Sequence, residues 1–520
     1  MTGKAKSNPR NRPAKSPAPA TPAPQPAAPA RVLALWPHLI VVFLLPWLLY
    51  SSTLNAGFIW DDHNLIESRG PSATFAELAS MWGSDFWQTA SSNSQYYRPL
   101  TSSTFWLDRA LFGLSPRAFH FTNLLLYSLT CAAAWMLFLR LLGAPLPALL
   151  AALLFAAAPA HVENAAWISG RTDIIAALFM FASFSAFLDF DESGRRSRLA
   201  TALGLFFVGL LGKEMALTLV PAVALQQWLY RGWKPAARRA APFVAVAAFY
   251  WVLHSRAAGG SGIENLYHTA GARALNVLRN LSLGVWLSYV PGGFEYLITA
   301  TREEAGKLFP LPSGGALLTT LLPLVAALAG LAAALWKRER LIALGLGAGL
   351  LALVPVSGVI PIGVVFANRF LLIPGFFFLL AAGGLLKLLP ERRPVGAPLA
   401  ALVAAPLIGW YAVTTLLWAP AWRTDATLME AALKKAPDAS LAHFLRGNGL
   451  GGEGRIDEAI AEYQRAISLR PNYPEALYNL GTMAERQGNA AAAAESYRRC
   501  LALNPAYAPA RAGLARVSRP

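Results

Sequence analysis

Cysteine is nearly absent, with two in 520 residues. Cys131 lies in an apolar run and Cys500 in a repetitive tail, without metal-ligand spacing. That excludes a disulfide framework and a thiolate zinc site. His161 and Glu163 have no second His–carboxylate pair beside them, so no metal site is expected there either. Charge is scarce as well: 14% of residues are charged and 55% are hydrophobic, unlike a soluble domain. Acids are fewer than bases, 28 against 45, leaving a net charge of +17. No basic stripe or recognition motif accompanies that charge, so nucleic acid is not the expected partner. There is no Walker loop and no Gly-x-Ser-x-Gly elbow. Gly345, Gly347 and Gly349 sit inside an apolar run, where they suit helix packing better than a nucleotide. No charged residue stands mid-run as a transporter's relay would need.

What is abundant is apolar sequence of membrane-crossing length. The runs are Val32–Tyr50, Phe121–Leu139, Leu146–Ala160, Ile174–Leu188, Leu199–Leu211, Met215–Leu229, Pro242–Leu253, Gly315–Trp336, Leu341–Ile360, Phe370–Leu386 and Pro398–Trp418. They predict an all-α, polytopic membrane domain over 32–420 with about eleven spans. Leu199–Leu229 reads as a hairpin broken at Gly212-Lys213-Glu214. Residues 1–31 are rich in Pro, Ala and basic residues and predict a disordered basic cytoplasmic tail. The first run is too long for a signal-peptide core and reads as a retained span.

Charge sets the orientation. Alternate connections carry Arg140; Arg195, Arg196 and Arg198; Arg231, Lys234, Arg238 and Arg239; Lys337, Arg338 and Arg340; Lys387, Arg392 and Arg393. Placing all of these in the cytoplasm satisfies the positive-inside rule with the N-terminus inside. Segments 51–119, 161–173, 254–312 and 361–369 then lie outside, as does the C-terminal tail. Ala272–Tyr289 is amphipathic and is expected to lie along the interface or re-enter from the outside.

From Asp425 the chain changes character. Pro437, Pro471 and Pro505 recur at about 34 residues, the tetratricopeptide period. Gly447 matches Gly481, Gly454 matches Gly488, Tyr463 matches Tyr497 and Leu469 matches Leu503. Helices are predicted at Ser440–Gly449, Ile456–Leu469, Pro474–Gln487, Ala490–Leu503 and Ala508–Val517. Residues 425–520 therefore read as an external α-solenoid, whose concave surface suits a peptide or partner protein.

Candidate chemistry clusters at the external ends of the spans. Gly57-Phe58-Ile59-Trp60-Asp61-Asp62-His63 places two carboxylates just beyond the first span. Burial at a membrane surface would raise a carboxylate's pKa toward that of a usable base. The plainer reading is that the pair is solvated or caps a helix at Asn64–Glu67. Tyr96-Tyr97-Arg98-Pro99-Leu100 offers aromatics for a sugar or the interfacial belt, and Arg98 for a phosphate or a loop carboxylate. His161-Val162-Glu163 and Trp167-Ile168-Ser169-Gly170-Arg171-Thr172-Asp173 hold ionisable groups between two spans, where charge is costly. Glu163 with Arg171, or Arg171 with Asp173, would make structural ion pairs. Lys213-Glu214 is either another such pair or a phosphate contact. Arg369 either anchors its span or meets an anionic headgroup.

The order of these motifs, followed by external repeats, resembles the transmembrane and tetratricopeptide-repeat O-mannosyltransferases, and more closely their bacterial relatives. The resemblance implies a GT-C membrane glycosyltransferase that inverts at the transferred sugar carbon without a metal. Its donor would be a polyprenyl-phosphate-linked sugar, mannose-like, used as substrate rather than cofactor. Its acceptor would be a hydroxyl, often of protein Ser or Thr. By similarity, Asp61 is the base and Asp62 its support. Arg98, Arg171, Lys213 and Arg369 would meet the donor phosphate. Tyr97, His161, Glu163, Trp167, Asp173 and Glu214 would shape the site. The family often carries an acidic residue and a Tyr around the Arg of the tenth span, where this chain reads Ala367-Asn368-Arg369-Phe370. It also often has a His before the proline of the second loop, where this chain has Ala158-Pro159-Ala160-His161. The implied location is a bacterial inner membrane with periplasmic repeats. The rival reading is a non-catalytic, membrane-anchored repeat scaffold.

Overall fold

The computed structural model describes residues 35–87, 96–258, 269–290, 315–360, 366–388 and 396–518. The expected disordered basic tail 1–31 and parts of both long external loops lie outside the described residues.

Each apolar run is a helix: Trp36–Tyr50, Pro116–Leu142, Pro145–Ala157, Arg171–Ser193, Arg196–Gly212, Leu219–Arg231, Trp233–Ala258, Gly315–Lys337, Arg340–Leu353, Leu372–Lys387 and Gly396–Trp418. Among the described residues, seven helices are long and apolar enough to cross a membrane alone, and one further pair is bent by 46°. The fold is an all-α membrane domain followed by tetratricopeptide repeats. The chain starts several spans with Pro, whose missing N–H costs nothing in a first helical turn. Gly143 and Gly194, at φ +64° and +67°, end two of them.

Ion pairs gather the basic connections at one end. Arg140 pairs with Asp189 and with Glu192, and Arg231 and Arg239 both face Asp191. The acidic segment and the repeat tail lie at the other.

The site rests on a break in the third span. Ala158 is extended, at ψ 121°, because the following proline disfavours helix before it. The chain then forms short turns over Pro159–His161, Val162–Ala166 and Ile168–Gly170. The connection expected at 161–173 is buried along its whole length. Its fold requires Gly170, since a Cβ there would sit 2.7 Å from the Glu163 carbonyl oxygen. The expected hairpin break appears at Lys213, extended at φ −163° and ψ 143°.

Ala270–Tyr289 is a helix packed against its neighbours. Its polar residues point inward: Asn280 Nδ2 donates to Ser357 O at 3.0 Å and Ser282 Oγ to Thr320 O at 2.6 Å. Tyr289 Oη reaches Phe378 O at 2.9 Å, half-way along the helix Leu372–Lys387.

The tail forms helices at Asp425–Lys435, Ser440–Gly452, Ile456–Leu469, Pro474–Arg486, Ala490–Leu503 and Ala508–Val517. The recurring Gly and Tyr prove to be one device. A Cβ on Gly447 would lie 2.7 Å from Tyr463, and one on Gly481 2.7 Å from Tyr497. Each tyrosine lies flat on a glycine of the preceding helix, so the helices approach closely. Gly481→Ala forces a rigid ring to move, at a cost of about 1–3 kcal/mol. Hydrogen exchange of the full chain should then quicken in 474–503 and stay unchanged in 171–193. Unchanged exchange in the tail would show that the ring yields.

Candidate active site

The acidic segment opens a short helix, Asp61–Leu65, so the acids lie in its first turn rather than capping a helix at Asn64–Glu67. Trp60 precedes it at φ +50°, ψ −111°. That conformation costs a non-glycine residue on the order of 1–3 kcal/mol and persists only where its surroundings hold it. Here the Trp60 amide donates to Asp425 Oδ1 at 2.8 Å. The Trp60 ring stacks on Trp167 with centroids 4.8 Å apart, and Trp167 on Trp422 at 5.9 Å.

The two acids are used differently. Asp62 is fully buried. It accepts from the amide and hydroxyl of Ser169 and from the Ile59 amide, which ties the acidic segment to the Ile168–Gly170 turn. Asp61 is half-buried and faces a cavity of about 380 Å³. Among the described residues no hydrogen bond or ion pair engages its carboxylate. Burial pushes its pKa up to about 7, opposed by Arg369 and then Arg98. Burial likewise raises Asp62, against its bonds from Ser169 and Ile59.

The cavity brings together Trp60, Asp61, Arg98, Trp167, Lys213, Glu214 and Arg369. Each cation is held from behind by a carboxylate on another element. Arg98 donates to Glu214 through Nε at 3.2 Å and Nη2 at 2.6 Å, and stacks 4.3 Å from the Tyr96 ring centroid. Lys213 Nζ lies 2.7 Å from both oxygens of Asp173. Arg369 pairs with Glu163, which also accepts the Arg369 amide at 2.9 Å. Glu214 is depressed to about 2, burial being outweighed by Arg98 and Lys213. Such pairs offset part of the cost of burying the charges.

Other expected residues stand behind the wall. Tyr97 donates its hydroxyl to Trp82 O at 2.9 Å. His161 is buried beneath, its Nδ1 within 3.0 Å of the Tyr127 hydroxyl and 2.9 Å of Phe155 O. Arg171 corrects the expectation. It does not line the cavity and is fully buried. Its guanidinium meets Asp108 at 2.7 Å, Asn123 at 3.0 Å and Phe119 O at 2.9 Å. Neither of its expected partners, Glu163 or Asp173, pairs with it, because those acids reach across to Arg369 and Lys213.

Sequence reasoning missed several contributors. Ser169 and Thr172 line the cavity from within a quoted motif, and Phe86 and Trp87 from the first loop. Pro355, Val356 and Ile360 come from a run that reads only as apolar. No group of His, Cys, Asp or Glu side chains among the described residues is placed to hold a metal.

Relatives agree with this architecture. The TPR repeat family matches residues 453–488, and the tetratricopeptide repeat family 474–507. Protein O-mannosyl-transferase TMTC4 of Homo sapiens is 27% identical over 80% of this chain and 64% of its own length. Protein O-mannosyl-transferase F38B6.6 of Caenorhabditis elegans is 24% identical over 84% of this chain and 63% of its own. The chain is similar to the TMTC protein O-mannosyl-transferases over most of its length. Protein O-mannosyl-transferase Tmtc1 of Drosophila melanogaster shares 32% identity over 34% of this chain and 21% of its own. The chain spans less than two thirds of the length of these relatives.

Proposed function

We propose that the chain is a membrane glycosyltransferase of the GT-C type. It moves a mannose-like sugar from a polyprenyl-phosphate donor to an acceptor hydroxyl, with protein Ser and Thr as the acceptors. The observation that carries this reading is an Asp61 carboxylate, uncommitted among the described residues, facing a cavity walled by Arg98, Lys213 and Arg369. A scaffold needs no such convergence. The positive-inside rule puts this end of the bundle, with the repeats, on the periplasmic side of a bacterial inner membrane and the N-terminus in the cytoplasm.

Asp61 accepts the hydroxyl proton as the acceptor oxygen attacks the anomeric carbon. The bond from that carbon to the phosphate oxygen breaks, and its electron pair stays on the phosphate. Arg98, Lys213 and Arg369 meet the charge that develops there. Attack opposite the leaving phosphate inverts the sugar carbon. Asp61 then releases its proton to water. Trp60 and Tyr96, which line the cavity, lie beside the sugar.

Purified protein in lipid vesicles, given polyprenyl-phosphate mannose and a Ser/Thr peptide, should add a hexose of inverted configuration. Absence of transfer from every polyprenyl-phosphate sugar would sink the reading.

The pH profile offers a finer check. Asp61 works deprotonated, so kcat/KM should rise with pH and level off above about 7. Arg369 is the first cation holding that value down. Arg369→Gln should therefore move the rising limb to higher pH, apart from any loss of donor affinity. A limb that stays put would separate Asp61 from the observed ionisation.

A further inference from the structure

Asp425 opens the first helix of the tail, Asp425–Lys435, capped by Thr424 and Thr427. Its carboxylate spans two groups of the acidic segment. Oδ1 accepts the Trp60 amide at 2.8 Å, and Oδ2 lies 2.8 Å from His63 Nε2. The neighbouring Arg423 carbonyl accepts the Gly57 amide at 3.1 Å. Both ends of the turn that presents Asp61 are thus fastened to the start of the tail.

The fastening continues into the repeats. Gly449, in the helix Ser440–Gly452, packs on Asp425 so closely that a Cβ would lie 3.3 Å from Asp425 Cβ. Leu428, Met429, Ala432 and Ala442 are buried in the same core as the membrane helices. The first repeat helices are therefore in direct contact with Asp425. Beyond Asp425, Trp60 sits in a backbone conformation that its sequence does not favour. When the Asp425 contact is lost, the Trp60 peptide is free to relax and carry Asp61 out of the cavity.

We infer that Asp425 is a positioning residue that ties the placement of Asp61 to the repeat array. An acceptor polypeptide lying on the repeats would thereby act on the carboxylate that takes its proton. The consequence for transfer rests on the glycosyltransferase reading; the mechanical link does not.

Two variants of the full chain separate the possibilities. Asp425→Ala removes both contacts, whereas Asp425→Asn keeps an oxygen for the Trp60 amide. Glu430→Gln, on the exposed face of the same helix, serves as the control. In Asp425→Ala, hydrogen exchange of amides 60–66 should quicken by about tenfold or more, as expected for losing a charge-assisted bond. Its kcat should fall by a similar factor with donor KM unchanged. Asp425→Asn should retain most of both, and Glu430→Gln all of both. Unchanged exchange at 60–66 in Asp425→Ala overturns the inference. So does faster exchange with an unaltered kcat. If Asp425→Ala fails to fold, the Asn variant decides: rate and exchange nearer wild type than Asp425→Glu, whose longer arm displaces the oxygen, support it, and the reverse order overturns it. If the wild-type protein transfers no sugar while the exchange arm behaves as stated, the proposed function falls and the mechanical link stands.

Discussion

Asp61→Asn should lower sugar transfer by about 10²–10⁴, the usual contribution of a positioned general base. The amide is isosteric but takes no proton. Asp61 makes no bond to lose among the described residues, so the variant should insert and pack normally. Its stability has a predictable sign. The folded pKa of Asp61 is raised, from 3.8 to about 7, so the folded protein holds this proton more tightly than the unfolded chain. Stability from that proton is full below the unfolded value and is lost as pH rises through about 7. Asn carries no such penalty. The melting temperatures of wild type and Asp61→Asn should coincide at pH 4 and separate by pH 8, with the variant higher. Asp62→Asn should behave in the opposite way. Its amide nitrogen cannot accept from Ile59 or Ser169, so the loop connection weakens and the melting temperature falls at neutral pH. A variant pair in which Asp62→Asn alone ends transfer, with stability intact, would exchange the roles of the two acids.

The span helices were legible because a lipid-crossing helix must be apolar over nearly its whole length. The repeats were legible because the Gly–Tyr contact recurs at a fixed spacing. Asp61 and Asp62 stood out as a pair, but their division of labour depends on Ser169, 107 residues away. The cation partners were misread for the same reason. Spacing along the chain suggested that Glu163, Arg171 and Asp173 pair among themselves. The break at Pro159 folds that stretch inward, so Glu163 faces Arg369, 206 residues on, and Asp173 faces Lys213, 40 residues on. Asp108 went unnoticed because 51–119 read as a polar loop. In the structure Pro99–Phe112 is an amphipathic helix that buries Asp108 and Arg109 and exposes Leu107, Leu111 and Phe112. Asp425 looked like a domain boundary, and only the fold shows that the boundary touches the site.

Arg171 carries the second large effect, and it is one of stability. Its guanidinium joins three helices. Nε donates to Asn123, Nη2 to the Phe119 carbonyl and Nη1 to Thr104; Nη1 also forms an ion pair with Asp108, which accepts from Thr122 at 2.9 Å. Phe105 covers the guanidinium with its ring centroid 4.9 Å away. Arg171→Met leaves Asp108 as a buried charge without its partner, a loss of about 3–5 kcal/mol. At about 2–4 °C per kcal/mol, the melting temperature should drop by roughly 10 °C. Arg171→Lys should recover little of it, since a single ammonium cannot serve the divergent acceptors of a planar fork. Adding Asp108→Asn to Arg171→Met should recover more, because the orphaned charge is then removed as well. In whatever fraction remains folded, donor KM should be unchanged, because the nearest cavity wall is built from other residues. A donor KM raised severalfold at an unaltered melting temperature would return Arg171 to the phosphate site. The contrast with Arg369 is then direct: one arginine holds the loops that build the cavity, and the other faces into it.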